Sequence, residues 1–276
     1  MITDIETYLN ALSDDILTLD ISYKGITYLP DLTRFVKLEK LDCFNNQLTS
    51  LPTLPENLKV LFCDMNQLTL LPDLTRFVNL ETLACSYNQL TSLPTLPQNL
   101  KVLYCYDNKL TSLPSLPQKL EQLGCSYNQL TLLPPLPQNI QAIYCCDNQL
   151  SSLPSLPENL KALSCYKNKL SSLPTLPQNL EIFCCHNNPI YNIIINNNDN
   201  NSLIKTKQNI QIVNNFRYLY YCLQLKTPFR KWLWERVRES NAKKLYHPTY
   251  LIHLIEQLNN DNDNDDDLNT VLDNWK

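Results

Sequence analysis

Glycine is almost missing from this chain: Gly25 and Gly124 are the only two in 276 residues. That scarcity excludes the glycine-rich loops with which nucleotide-dependent enzymes cradle phosphates. Histidine is scarce too, with only His186, His247 and His253. Of these, His186 follows Cys184 and Cys185, but a thiol beside an imidazole, without an orienting partner and a pocket, does not make a nucleophile. No apolar run approaches the ~20 residues that a bilayer span needs. The N-terminus, MITDIETYLN, is acidic and lacks the charged-then-apolar order of a secretory signal. Net charge is only −4, so no global field draws the chain to nucleic acid or to a membrane surface. These absences point to a soluble, cytoplasmic protein that is not an enzyme and uses no cofactor, metal or small-molecule substrate.

What fills the chain instead is one segment rewritten. Residues 100–119, LKVLYCYDNKLTSLPSLPQK, recur with starts at Ile16, Leu38, Leu58, Leu80, Leu100, Leu120, Ile140, Leu160 and Leu180. A fixed period of this length predicts a solenoid, expected over 16–195 as nine repeats. Within one unit the two apolar residues of x-L-x-C-x lie two apart, so in an extended strand Leu103 and Cys105 point inward and Tyr104 and Tyr106 point outward. Coils stacked in parallel about 4.8 Å apart share a continuous core and form a curved slab roughly 40 Å long. Asn46, Asn66, Asn88, Asn108, Asn128, Asn148, Asn168 and Asn188 fall where each strand ends, and an amide there can satisfy buried backbone donors and acceptors. The first unit carries Lys24 at that place, which predicts a turn that is looser or open to solvent. Of the 18 prolines, 15 lie in or beside the LPxLP return segments, which are therefore expected to be extended or polyproline-like. Two returns, 29–36 and 71–78, read LPDLTRFV and have length for a short helical turn after Asp31 and Asp73.

This pattern resembles the leucine-rich repeat family, and its LPxLP ending is similar to the short repeats of bacterial leucine-rich effector proteins. The resemblance implies an α/β solenoid: a leucine-rich repeat horseshoe with a parallel β-sheet on the concave face and extended convex segments, followed by a small C-terminal helical module. Such effectors often carry a ubiquitin-ligase domain with a catalytic Cys-x-Asp motif. Here the single cysteine after the repeats is Cys222, in Cys-Leu-Gln, which argues against that activity.

Eight of the 11 cysteines, from Cys43 to Cys185, occupy one repeat position and form an inward row. Small buried cysteines behave as apolar residues, and so many thiols favour a reducing compartment. Their spacing is not that of a zinc site. Residues 1–15 are expected to form a capping helix, with Thr3-Asp4-Ile5-Glu6 as a capping box and Tyr8, Leu9 and Leu12 on one face. Glu39, Lys59, Glu81, Lys101 and Glu121 alternate in sign at one repeat position and predict a ladder of charges.

The most informative comparison is internal. Residues 29–70 and 71–112 read as copies of one unit that differ at eleven positions, and seven of these belong to the outward strand-face set. Convex residues such as Thr53 and Thr95 stayed the same. Asp42 lies on the divergent face, which is rich in further rings and carboxylates: Phe44, Phe62, Asp64, Tyr87, Tyr104, Tyr106, Asp107, Tyr127, Tyr144, Asp147 and Tyr166. Large rings with polar tips dominate interfaces, so these residues are the expected contact set for a protein partner. The plainer alternative is that tyrosine suits strands.

Past the repeats the sequence suggests an asparagine-rich linker at 196–207, a helical module at 208–260 and an acidic tail at 261–276. Basic residues between 205 and 244 read as a solvated helix face balanced by that tail, so nucleic acid is not an expected partner. The stretch FRKWLWERVRES and the following YHPTYL look like a C-terminal segment shared by proteins of giant DNA viruses of amoebae, which implies host cytoplasm or a virion. A rival reading is an adaptor or effector whose C-terminal module recruits host machinery or carries an unrecognised activity while the repeats select the target.

Overall fold

The structure, a computed structural model, describes residues 4–194 and 203–224. Most of the expected linker, most of the helical module, the whole acidic tail and the FRKWLWERVRES segment lie outside the described residues. By internal contacts the chain forms two units, 1–215 and 216–276.

Each coil contributes a strand of three residues: β1 Thr18–Asp20, β2 Lys40–Asp42, β3 Val60–Phe62, β4 Thr82–Ala84, β5 Val102–Tyr104, β6 Gln122–Gly124, β7 Ala142–Tyr144, β8 Ala162–Ser164 and β9 Ile182–Cys184. They pair in parallel, in sequence order, as one nine-stranded sheet. Register follows the repeat: Leu41 stands opposite Leu61, and Leu83 opposite Leu103. The strands are short because the backbone bends after them, yet pairing continues through Cys43 N to Phe62 O at 2.8 Å and Asn45 N to Asp64 O at 3.0 Å. The described coils form a parallel β-solenoid, the leucine-rich repeat architecture that the sequence predicts. The leucine and cysteine rows form a single core running the length of the solenoid.

The asparagine row clamps coil to coil. Asn128 Nδ2 donates to Cys105 O at 2.9 Å in the preceding coil and to Cys125 O at 3.1 Å in its own, while its Oδ1 accepts from Leu110 N at 3.0 Å. Every member from Asn46 to Asn188 is buried. Just before each asparagine, and before Lys24 in the first coil, sits a residue with positive φ: Tyr23, Asn45, Met65, Tyr87, Asp107, Tyr127, Asp147, Lys167 and Asn187. A left-handed residue in every coil makes the inward bend that the next amide then locks. The first turn is more open to solvent than the others, with Tyr23 exposed and Lys24 half-buried, but it is not looser. Tyr23 has φ 56°, and the amides of Lys24 and Ile26 both donate to Asn46 Oδ1 at 3.1 Å. The clamp for a coil comes from its successor, so Lys24 needs no amide of its own.

Both ends of the core are covered. Helix α1, Ile5–Asn10, is capped by Asp4, one residue later than the expected box, with Asp4 Oδ1 accepting from Glu6 N at 3.0 Å. It buries Ile5 and Leu9 against the first coil. At the other end α2, Tyr191–Ile194, is followed by α3, Leu203–Gln224. Helix therefore includes residues 203–207, which the sequence reading assigned to the linker. Ile210 is buried in the core, Lys207 Nζ donates to Gln178 O at 2.9 Å, and Asn214 Nδ2 donates to Leu173 O at 3.0 Å. The charge ladder resolves into separate exposed pairs, Lys59–Glu39 at 2.8 Å and Lys101–Glu81 at 3.0 Å. The LPDLTRFV returns form successive tight turns rather than a helix. Thr33 N donates to Asp31 Oδ1 at 2.7 Å, and the turn drives Phe35 into the core.

Candidate functional site

Alternation puts the residues flanking each inward leucine and cysteine on the concave face. Along the sheet one such row runs Asp42, Phe62, Ala84, Tyr104, Gly124, Tyr144, and the next runs Phe44, Asp64, Ser86, Tyr106, Ser126, Cys146. Large and small residues therefore interleave from coil to coil, and the rings lie down over small neighbours. Tyr104 and Tyr106 are half-buried rather than freely exposed, as the sequence reading had them; neither enters the core. Their rings stack with centroids 5.6 Å apart, and Tyr104 Oη donates to Gln122 Oε1. The Tyr106 ring covers Gly124 so closely that a Cβ placed there would fall 2.1 Å from its Cζ. Burial pushes the Tyr106 phenol well above its ordinary range.

One hollow of about 390 Å³ opens on this face. From the first of the two internal copies come Asp42, Phe44, Phe62 and Asp64; from the second come Ala84, Ser86, Tyr87, Tyr104 and Tyr106. The small residues of β4 and its extension form the floor, and the rings of the coils on either side form the walls. All of these lining residues sit at positions where the two copies differ. The carboxylates are held by the backbone: Asp42 Oδ1 accepts from Phe44 N at 3.1 Å and Asp64 Oδ1 from Ser86 N at 2.8 Å. Burial raises the Asp64 carboxyl above its usual range, opposed by the Ser86 hydrogen bonds and assisted by the nearby Asp42 charge. Lys40 Nζ lies 5.1 Å from the centroid of the Phe62 ring.

The expected contact residues thus divide. Phe44, Phe62, Asp64, Tyr87, Tyr104 and Tyr106 meet in the hollow. Farther along, Tyr127 and Tyr166 are joined through their hydroxyls at 3.2 Å, and Tyr166 stacks on His186 at 4.6 Å. That contact with Tyr127 is the first cause pushing the Tyr166 phenol up to about 12. Tyr144 is half-buried, Asp107 stands exposed on its left-handed turn, and Asp147 is engaged by Lys167 at 3.0 Å. Asp42, expected on the same face, joins those in the hollow, while the contact set omitted the small floor residues Ala84 and Ser86, and His186. The alternation of large and small residues along each row was the signal for the floor.

A second hollow, of about 290 Å³, lies beside Cys184, His186, Tyr191 and the start of α3. Its imidazole stacks on Tyr166, and no hydrogen bond joins it to the thiol among the described residues. The inward thiols are buried, and burial lifts Cys43 and Cys105 to about 12. Among the described residues no cluster of His, Cys, Asp and Glu is arranged to hold a metal ion, and no helix is long and apolar enough to cross a membrane.

No known sequence family and no curated protein matches the chain. Solved structures do. YopM from Yersinia enterocolitica WA-314 is 32% identical with a TM-score of 0.52, over 65% of this chain and 48% of that one. YopM from Yersinia pestis, a leucine-rich effector protein, is 28% identical with a TM-score of 0.55, over 62% of this chain and 61% of that one. A Shigella effector leucine-rich repeat domain is 31% identical with a TM-score of 0.40, over 67% of this chain and 63% of that one. The chain spans less than two thirds of each. These neighbours are bacterial, and the segment that resembles viral proteins lies outside the described residues.

Proposed function

We propose that this leucine-rich repeat protein is a non-enzymatic scaffold that binds a protein partner on its concave aromatic and acidic face, in the reducing cytosol of a cell. The observation that carries the reading is the coincidence between the hollow and the divergent positions. Two near-identical copies kept their core and most of their convex surface, and five of the eleven positions at which they parted line one cavity. Drift relieved only by solvent exposure would have reached convex residues such as Thr53 and Thr95 as readily. Half-buried rings held in place by small neighbours also lose little freedom on binding, which suits them as anchors. The buried, unpaired thiols fit a compartment that keeps cysteines reduced. Resemblance in fold to bacterial effectors supports a role in protein contact without naming the partner.

Affinity capture with the full chain tests this. The wild-type chain is expected to retain a partner that the Y104A/Y106A/Y127A variant loses, with both melting cooperatively and the convex variant Q98A still capturing. Retention by the triple variant, or capture of nothing above a blank matrix, overturns the reading.

A further inference from the structure

The hollow combines features that select its occupant. We propose that it takes an arginine side chain from a basic segment of the protein partner, the guanidinium lying against the Phe62, Tyr104 and Tyr106 rings and pairing with Asp42 and Asp64. This rests on the concave face being the partner surface, and it adds the chemistry of what enters. The walls are aromatic faces, which attract cations electrostatically, most strongly where water is excluded. The site already displays that preference, because Lys40 Nζ sits 5.1 Å over Phe62.

The carboxylates decide against an apolar occupant. Asp64 is already desolvated, and Asp42 adds negative charge beside it rather than relieving it. An aliphatic or phenyl group filling the hollow would complete the burial of Asp64 and leave its charge without a counter-charge, which is costly. A cation turns that penalty into attraction. Lys40 is one positive charge against two carboxylates, and no ion pair joins it to either among the described residues. Arginine fits better than lysine because its planar, weakly hydrated fork stacks on rings and meets carboxylates with two donors. Both carboxylates are fixed by backbone amides, so the receiving geometry exists before anything binds.

The test titrates the full chain with a fluorescein-labelled Gly-Ser peptide carrying several spaced arginines, followed by anisotropy. Parallel peptides carry citrulline, the neutral near-isostere, lysine or leucine. The arginine peptide is expected to bind at least about tenfold more tightly than the citrulline and leucine peptides, and the D42N/D64N variant to lose about tenfold or more. Those substitutions keep the acceptors for Phe44 N and Ser86 N, so the fold is retained. Q98A, at an exposed position on the convex side, should bind as wild type does. Equal binding of arginine and citrulline peptides, no binding of the arginine peptide, preference for leucine or lysine, or undiminished binding by D42N/D64N each overturns the proposal. So does a concentration-dependent dimer abolished by D42N/D64N, which would make a second copy the occupant. Failure here leaves the partner surface standing if Y104A/Y106A/Y127A still abolishes capture. Arginine binding without any loss of capture in D42N/D64N would instead detach the hollow from partner binding.

Discussion

The two sides of the same strands differ in kind. Facing inward, the coils after the first repeat an apolar residue, a cysteine and an asparagine with little change, and facing outward one position holds Asp42, Ala84, Gly124 and Ser164 in turn. The interior is uniform because every coil presents its core to an identical neighbour, so one solution serves all. The concave face carries no such translational demand. What little order it shows, a large ring over a small neighbour, is local. Stability therefore resides in the repeated side and selectivity in the varied one, and substitutions should separate them.

Thiol reactivity gives the widest separation. With Cys105 pushed up to about 12 by burial, its thiolate fraction at neutral pH is about a thousandfold below that of an exposed cysteine. Among the described cysteines of the native chain, labelling with a disulfide reagent should therefore begin at half-buried Cys184 and reach the inward row only on the timescale of unfolding. Mass spectrometry of labelled peptides reads the order, and prompt labelling of Cys105 or Cys125 would contradict a sealed core.

Asparagine comes next. Asn128→Ala strands the Leu110 amide and withdraws a donor from the carbonyls of Cys105 and Cys125, all in the core. The expected loss is about 3–5 kcal/mol, measured by urea unfolding. Tyr87→Ala, at an exposed ring on the outer side, should cost under about 0.5 kcal/mol. Similar costs at the two positions would erase the distinction between the sides.

The same distinction explains what the sequence could tell. Rows that repeat are read directly: the inward leucines, the cysteines, the asparagine clamp and the concave placement of Tyr104 and Tyr106 all follow from period and alternation. The left-handed residue of each coil is not legible. Asn45, Asp107, Asp147 and Asn187 are residue types that tolerate positive φ, but Tyr23, Met65 and Lys167 give no hint of it. Contacts between coils are also hidden. Tyr106 and Gly124 are 18 positions apart, and whether a ring stands up or lies down depends on rotamer and on the size of its neighbour. That is why tyrosines read as free proved half-buried, and why Ala84 and Ser86 passed unnoticed as the floor of a cavity.

Gly124 sharpens this point. Its φ is ordinary for a strand, so it is needed for space and not for backbone freedom. Gly124→Ala brings a methyl to 2.1 Å from the Tyr106 Cζ and hydroxyl oxygen, and the ring must swing off the face. A loss of about 1 kcal/mol is expected with Tyr106 present. With Tyr106→Ala already made, the same change should stabilise by about 0.5–1 kcal/mol, because alanine loses less backbone freedom than glycine. A double-mutant cycle without that reversal of sign would show that the ring does not rest there.

The smallest effect concerns Asp64, where the two sides meet. Its folded-state carboxyl is raised, chiefly by burial, so between the ordinary carboxylate value and the raised one the folded chain holds a proton that the unfolded chain has released. Stability contributed by this group is therefore present in acid and falls as pH climbs through that window, leaving a penalty at neutral pH. Asp64→Asn keeps the acceptor for Ser86 N and cannot ionise, so it should melt slightly higher than wild type at pH 7 and lose that advantage as pH falls below the ordinary carboxylate range. If the proposed guanidinium binds, a fixed concentration of arginine peptide should raise the wild-type melting temperature by more than that of D64N. A carboxylate that costs the free fold stability and repays it on binding is what a recognition site retains and a core discards.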